Sequence, residues 1–300
     1  MATSITNNTK SKDLVVFNIV GYFIVTLFAL TCILPFIILV SASFTSEHAI
    51  LNYGFQLFPK EFSTSAYQML FKFPMDIIRA YEVSIFITVF GTVCGLFIVS
   101  MTAYVISRKD FLFRNQLTYY FYFITLFNGG LVATYIIMIR YYHLKDNLVS
   151  LILPFLVNVF YLIIMRSFMT SIPESLGESA KIDGAGDFKI FIKIILPMSK
   201  PALATIGLFI ALDYWNDWYN AMLYITNYKQ YPLQYLLYNM LSTQDALSRI
   251  SAVSNVNITN MPLQSLKMAM AVIATGPILL VYPFVQKYFI KGITVGAVKG

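Results

Sequence analysis

The stretch ESAKIDGAGDFKIFIKIILP, Glu178 to Pro197, is a mixed-charge, glycine-broken insert in a chain that is otherwise oily. Of 300 residues, 58% are hydrophobic and only 12% are charged, with a mean hydropathy of +0.70. An ordinary soluble domain carries about 25% charged residues. This chain lacks the charge to cover itself in water, so the natural solvent for its surface is lipid.

The apolar runs on either side of the insert carry that reading outward. Leu14–Ser46, Val83–Ser107, Asn115–Ile139, Asn147–Met165 and Met268–Gln286 contain no Asp, Glu, Lys or Arg, and a further run goes from Pro201 past two aspartates to Tyr228. Each approaches or exceeds the ~20 residues that a spanning helix needs. None shows the apolar–polar alternation of barrel strands. The sequence predicts six transmembrane helices, at about 14–40, 81–106, 116–139, 148–168, 202–225 and 264–287. The first run is much longer than the ~7–15-residue core of a cleavable leader, so it reads as a retained helix. No soluble domain fits anywhere, and residues 1–300 read as one all-α membrane domain.

Orientation follows from Lys and Arg in the loops. With the N-terminus inside, thirteen basic residues lie on the inner side and eight on the outer, which puts both termini in the cytoplasm and the chain in the plasma or inner membrane. The net charge of +7 then reflects topology, and no basic-aromatic pattern suggests a nucleic-acid partner. Cys32 and Cys94 fall within apolar helices and read as small buried hydrophobes. His48 and His143 have no ligand-spaced neighbour. The sequence contains no zinc motif, P-loop or nucleophile elbow, which leaves no catalytic residue, metal site or bound cofactor to assign.

From Arg166 to Lys200, nine of thirty-five residues are charged. Ser171-Ile172-Pro173-Glu174 has the spacing of a capping box. A short helix is expected to follow, through Ala180. Gly184 and Gly186 break it. Asp187 is placed to cap a second short helix bearing Phe188, Phe191, Ile192 and Ile195, with Pro197 as its stop. The product is a hairpin at the inner surface, greasy on one side and charged on the other. Taken alone it reads as an interfacial connector.

Its spacing says more. Glu178-Ser179-Ala180, three residues, Gly184, nine residues, then Ile194-x-Leu196-Pro197 resembles the EAA signature of binding-protein-dependent ABC importer permeases, with Ser179 where the family usually has alanine. SRKDF (107–111), YWNDWYNAM (214–222) and FVQKYFIKGITVGAVKG (284–300) resemble the carbohydrate-uptake, MalG-like and LplC-type branch. The likeness covers nearly the whole chain, most firmly about 80–291. It implies a type I importer permease fold and a coupling segment, 171–197, that sits in a groove of a separate ABC ATPase dimer. Glu178, Ser179, Ala180, Asp183, Gly184, Ile194, Leu196 and Pro197 would make that contact. ATP and Mg would then be bound by the ATPase. The likeness further implies a second, similar permease subunit, with a heterodimer favoured, and an external sugar-binding protein approached by the outer loop 227–262. The tail 288–300 would reach the ATPase interface.

In the fifth span, Asp213, Asn216, Asp217 and Asn220 recur at i, i+3, i+4 and i+7, which puts them on one face if the helix is continuous. An aspartate at mid-membrane costs about 2.5–3.5 kcal/mol, so it is expected to face protein or a wet cavity. Trp215, Trp218 and Tyr219 are interleaved, a mixture suited to sugar hydroxyls and their C–H faces. The same residues also suit an interfacial aromatic belt and helix–helix hydrogen bonding. Asn128-Gly129-Gly130 near the middle of the third span can kink or unwind the helix and free backbone groups for a ligand, or permit tight packing; packing is the favoured reading, with Asn128 kept as a pathway candidate. Arg79 and Glu82 are expected to pair, and Gly276-Pro277 to kink the sixth span.

The reading that accounts for the most residues is a permease subunit of an ATP-driven oligosaccharide importer, working by alternating access. A secondary carrier using Asp213 or Asp217 as an ion site would not need Glu178 or Gly184. A non-transport scaffold would not need the polar face of the fifth span. An ABC permease for a peptide or another non-sugar solute would keep the hairpin and change the pathway.

Overall fold

A computed structural model describes residues 12–72, 74–127, 129–254 and 262–297. In chain order the α-helices are α1 Lys12–Ser43, α2 Glu47–Tyr53, α3 Ser65–Leu70, α4 Pro74–Ser107, α5 Arg114–Leu126, α6 Leu131–Ile136, α7 Val149–Ile152, α8 Val159–Thr170, α9 Glu174–Ile182, α10 Asp187–Ile190, α11 Leu196–Met198, α12 Lys200–Asn216, α13 Tyr219–Tyr224, α14 Leu233–Ser254 and α15 Leu263–Ala297. Apart from an isolated bridge between Thr45 and Phe62, regular structure among the described residues is helical. α1 and α4 are long and apolar enough to cross a membrane, and three bent helix pairs have the length and composition for one further span each. The sixth predicted span lies in α15, whose side chains are described only in part.

The chain forms two compact units: Met1–Lys72 with Ser248–Ile273, and Phe73–Leu247 with Ala274–Gly300. In the first, nearly every side chain from Leu14 to Val40 is exposed. This corrects the reading of Cys32, which points outward from α1. The segment after α1 is ordered by small polar contacts. Ser46 accepts the Ala49 N–H (3.1 Å) at the start of α2. The Glu47 carboxylate accepts the backbone N–H groups of Gln264 (2.9 Å) and Ser265 (3.1 Å), and so caps the opening turn of α15.

The second unit is built around α4. Its buried residues include Ala80, Ser84, Ile87, Gly91, Gly95, Val99 and Ala103, spaced three or four apart. That spacing makes a narrow stripe, and its small members let neighbouring helices approach closely. α12 brings Ile206, Ile210 and Tyr214 to the same core, and α8 brings Leu162 and Met165. Tyr214 is 3% exposed and its ring fills the notch over Gly91. A Cβ built there would stand 2.5 Å from the ring. The Tyr214 hydroxyl donates to the Ile152 carbonyl (2.8 Å) at the junction of α7 and a 3-10 turn.

Several expected spans are broken. The third stops at Leu126 and resumes at Leu131. A Cβ at Gly129 or Gly130 would meet nothing within 4 Å, so the glycines serve the break and not close packing within the chain. Gly130 has φ +81°, and Asn128 lies outside the described residues. The fourth span bends by 51° between 149–155 and 159–170. Pro154, in the 3-10 turn, has no N–H to continue an α-helix. The fifth begins at Lys200, ends at Asn216 and is bent by 84° against the segment before it. The outer loop contains a helix, α14, where the sequence suggested irregular chain. Arg79 faces Asp76 (3.9 Å) and not the expected Glu82. α15 carries Pro277 and Pro283 inside one helical run, and the tail expected from 288 is helical through Ala297.

Gly91→Ala is expected to destabilise the protein by about 1–3 kcal/mol, the usual range for overpacking, because a buried tyrosine ring cannot swing clear. A lowered melting temperature of the detergent-extracted protein checks this.

Candidate functional site

Two regions of the second unit hold the residues singled out by sequence. The first is the hairpin after α8. α9 buries no residue. Glu178, Ser179, Asp183 and Gly184 are exposed, while Ala180, Ile194 and Leu196 pack against the edge of the core. Gly184, at φ +78°, ends α9. Its N–H donates to the Lys181 carbonyl (3.0 Å), and the Ala185 N–H reaches back to the Ala180 carbonyl (2.9 Å). This pair of bonds is a Schellman turn, and Ala180 and Ala185, at the positions of its customary apolar contact, both pack against the core. It gives a physical reason for an alanine four residues before a glycine. Beyond it, Ile182 (87% exposed) and Phe188 (63%) leave the hairpin tip with bare apolar surface.

Three local expectations fail here. Ser171 donates to the Phe168 carbonyl (2.7 Å) and does not cap. The N-cap position of α9 is Pro173. Glu174 is drawn instead to Lys109 (3.0 Å). Asp187 is the first residue of α10, with Gly186 at the cap. Its carboxylate faces Arg108 (2.6 Å). Pro197 does not stop the helix. The chain widens into a π turn, Phe191–Ile195, and continues through α11 to Met198. A proline cannot donate to the carbonyl four residues back, and a wider turn upstream relieves the conflict.

The loop after α4 folds onto this hairpin. Arg108, 19% exposed at its side chain, donates from Nε to Asp110 (2.8 Å) and pairs through its other nitrogens with Asp110 and Asp187. Lys181 of α9 bonds Asp110 (2.9 Å) and approaches Asp187 (3.7 Å). Arg108 first, then Lys181, holds the Asp110 carboxyl well below the usual carboxylate range. The bond to Asp110 raises Lys181. Asp110 and Lys181 therefore both stay charged at neutral pH. A cavity of about 240 Å³ is lined by Glu174, Gly177 and Glu178 of α9 and by Tyr104, Ser107 and Lys109.

The second region is the break between α12 and α13. Asp217 is extended (φ −76°, ψ 105°) where a continuous helix was expected. Its carboxylate accepts the Asn220 N–H (3.1 Å) and side-chain amide (3.0 Å), supplying partners that the helix no longer provides. The four polar residues therefore do not form one helical face. Asp213 is held by the Tyr161 hydroxyl (2.8 Å). Asp213, Asn216, Asp217, Trp218 and Tyr219 line a cavity of about 260 Å³ together with Phe155 and Leu212. Trp215 lies outside that lining, and its buried Nε1 has no hydrogen-bond partner among the described residues. Trp218 stacks on Tyr238 of α14, with centroids 4.2 Å apart. Tyr238 was missed. The signal was Tyr231, Tyr235 and Tyr238 at helical spacing in a segment read as loop.

Residues 95–295 match the family of binding-protein-dependent transport system inner membrane components. The chain belongs to this family. It is 42% identical over 289 residues to the polygalacturonan/rhamnogalacturonan transport system permease protein YtcP of Bacillus subtilis, covering 95% of this chain and 98% of that protein. It is 42% identical to Protein LplC of the same organism over 89% of this chain and 90% of that one. Its fold is similar to a chain in the crystal structure of a bacterial ABC transporter involved in the import of the acidic polysaccharide alginate. The TM-score is 0.79 at 30% identity, covering 93% of this chain and 98% of the other. The protein is thus an all-α membrane permease subunit of an ABC transport system.

In this permease, Gly184→Asn is expected to keep the hairpin turn, since asparagine tolerates the left-handed region, whereas Gly184→Val strains it by about 1–2 kcal/mol. Faster proteolytic nicking between 182 and 188 in the valine variant alone would show it.

Proposed function

We propose that this chain is one of two membrane subunits of an importer for oligosaccharides, lining half of the pathway and coupling through the hairpin 171–197 to a cytoplasmic ATPase dimer. The observation that carries the reading is end-to-end similarity to a permease named for polygalacturonan and rhamnogalacturonan transport. ATP is bound and hydrolysed by the ATPase, consistent with the missing P-loop, and this chain holds no cofactor of its own. A second homologous permease completes the pathway, a heterodimer being the favoured pairing, and an external sugar-binding protein delivers the substrate. Both termini face the cytoplasm, as the lysine and arginine bias indicates.

The exposed face of α9 carries the docking role. Glu178 pairs with a basic residue of the ATPase groove, beside exposed Ser179, Asp183 and Gly184 and the apolar Ile182 and Phe188. Ala180, Ile194 and Leu196 hold the hairpin's shape from its inner side, and exposed Pro197 follows them. The pathway role falls to the helix break. Asp213, Asn216 and Asp217 offer acceptors and donors to sugar hydroxyls, and the stacked Trp218 offers an aromatic face. Asn220 fixes Asp217, and Trp215 and Asn128 are secondary candidates.

Affinity purification of the tagged chain from its native membrane, with mass spectrometry of what accompanies it, tests the assembly. Wild type is expected to bring an ATPase and a second permease, and Glu178→Arg to lose the ATPase while remaining inserted. An ATPase retained by Glu178→Arg overturns the docking assignment. Asp217→Ala is expected to change uptake of oligogalacturonides while the ATPase stays bound. Loss of the ATPase from that variant would mean that the helix break serves docking.

A further inference from the structure

The hairpin that the proposed function gives to the ATPase buries nothing of α9. Its packing against the core comes from Ile172 just before α9, from Ala180 and Ala185, and mainly from the second arm, through Ile190, Phe191 and Ile195. A push on the exposed face of α9 would therefore meet little resistance from the core and would tilt that helix alone, unless something else ties it down. What ties it down is charge. Arg108, one residue beyond the end of α4, bridges Asp110 of its own loop and Asp187 of α10. Lys181 on α9 closes the circuit through Asp110 at 2.9 Å and Asp187 at 3.7 Å. Lys109 adds a second tie to Glu174, the first residue of α9, at 3.0 Å.

Three features set this cluster apart from ordinary surface pairs, which are worth little singly. It is a network of two cations and two anions in which each ion touches more than one partner. Its central guanidinium is largely shielded, and it lies 5.7 Å from the centre of the Tyr104 ring. It ties both arms of the hairpin, α9 and α10, to the end of α4, a piece of chain about 65 residues or more away in sequence. Behind Arg108, the Arg166 guanidinium of α8 donates to the Ile106 carbonyl (3.1 Å), which clamps the last turn of α4 to the fourth span.

We propose that Arg108, Asp110, Lys181 and Asp187 form a positioning latch that carries movement of the ATPase-docked hairpin into α4, the helix against which the pathway helix α12 packs. The inference rests on the docking role given above to the hairpin. It assigns the SRKD loop (107–110) a transmitting role distinct from the ATPase contact. A rigid bridge between a driven element and a packed span is what a hinged or sliding domain movement requires, since interfaces of this kind shift as bodies and do not bend gradually.

The test uses the intact importer complex, purified with its ATPase in lipid nanodiscs. Deuterium exchange is read with and without ATP and vanadate. In wild type, nucleotide is expected to change exchange both in the hairpin, 174–195, and in α4, 74–107. In Arg108→Met the ATPase stays bound and the hairpin still responds, while the response of α4 is lost. Arg108→Lys, which keeps the charge but cannot span two carboxylates as a guanidinium does, recovers part of it. Asp187→Asn, at a more exposed partner, is expected to act in the same direction and decides the matter if Arg108→Met does not insert. An unchanged α4 response in these variants overturns the latch. Loss of the ATPase from Arg108→Met overturns it too, because the cluster would then serve docking. Glu178→Arg separates the two ideas. If it keeps its ATPase, the docking reading fails. If it loses the ATPase while Arg108→Met leaves α4 responding, the latch alone fails.

Discussion

Backbone groups in a lipid-bounded protein have no water to turn to, so every break in a helix must be repaired from within. The bond from the Tyr214 hydroxyl to the Ile152 carbonyl is such a repair, and much of the second unit is arranged around it. It occupies a carbonyl at the junction where the fourth span turns into a 3-10 segment. It also fixes the ring that sits over Gly91, so α12, α7 and α4 meet at one residue. Similar repairs recur: Asn158 accepts the Phe160 N–H at the start of α8, and Asp217 takes up the first turn of α13. The spans are interrupted without leaving these groups bare.

The interruptions also decide where polar chemistry is available. A straight fifth span would have presented its aspartates as a stripe to whatever lay alongside. The break at Asp217 gathers Asp213, Asn216 and Trp218 around a small cavity, with Tyr161 and Asn220 holding the two carboxylates. At the other end of the same unit, the turn at Gly184 gathers exposed polar and apolar side chains at a tip. Two unlike surfaces thus arise from one device, a helix brought to an early stop.

Uncharged runs and loop charges were enough to read the helical membrane class and most span positions, because the cost of a charge in lipid is large and leaves a plain mark. The signature around Glu178 and Gly184 was read from resemblance, and the left-handed Gly184 that closes α9 supplies a physical reason for one of its residues. The breaks were not legible. Nothing in a periodic apolar pattern distinguishes a continuous helix from two halves, and Asp217 in the sequence looks like one more position on a face. The capping box at Ser171 failed because α9 starts later than the spacing suggests: Pro173 holds the N-cap position and Glu174, the first helical residue, pairs with Lys109, 65 residues away along the chain. Asp187 was claimed in the same manner by Arg108. Long-range ion pairs of this kind leave no local trace. α14 was missed because its tyrosines read as loop composition until their spacing was seen on a helix.

The π turn at Phe191–Ile195 has a consequence for how the hairpin is aimed. A π turn accommodates one residue more than an α turn, and each residue of an α-helix advances the chain about 100° around its axis. The wide turn sits between the hairpin tip and the core-anchored α12 and takes up one residue within a single turn, so the segments on either side keep nearly the bearing that a plain α turn would give them. A family member lacking that residue would close to ordinary α geometry with its hairpin facing the same way. The segment can thus change in length by one residue without re-aiming the hairpin.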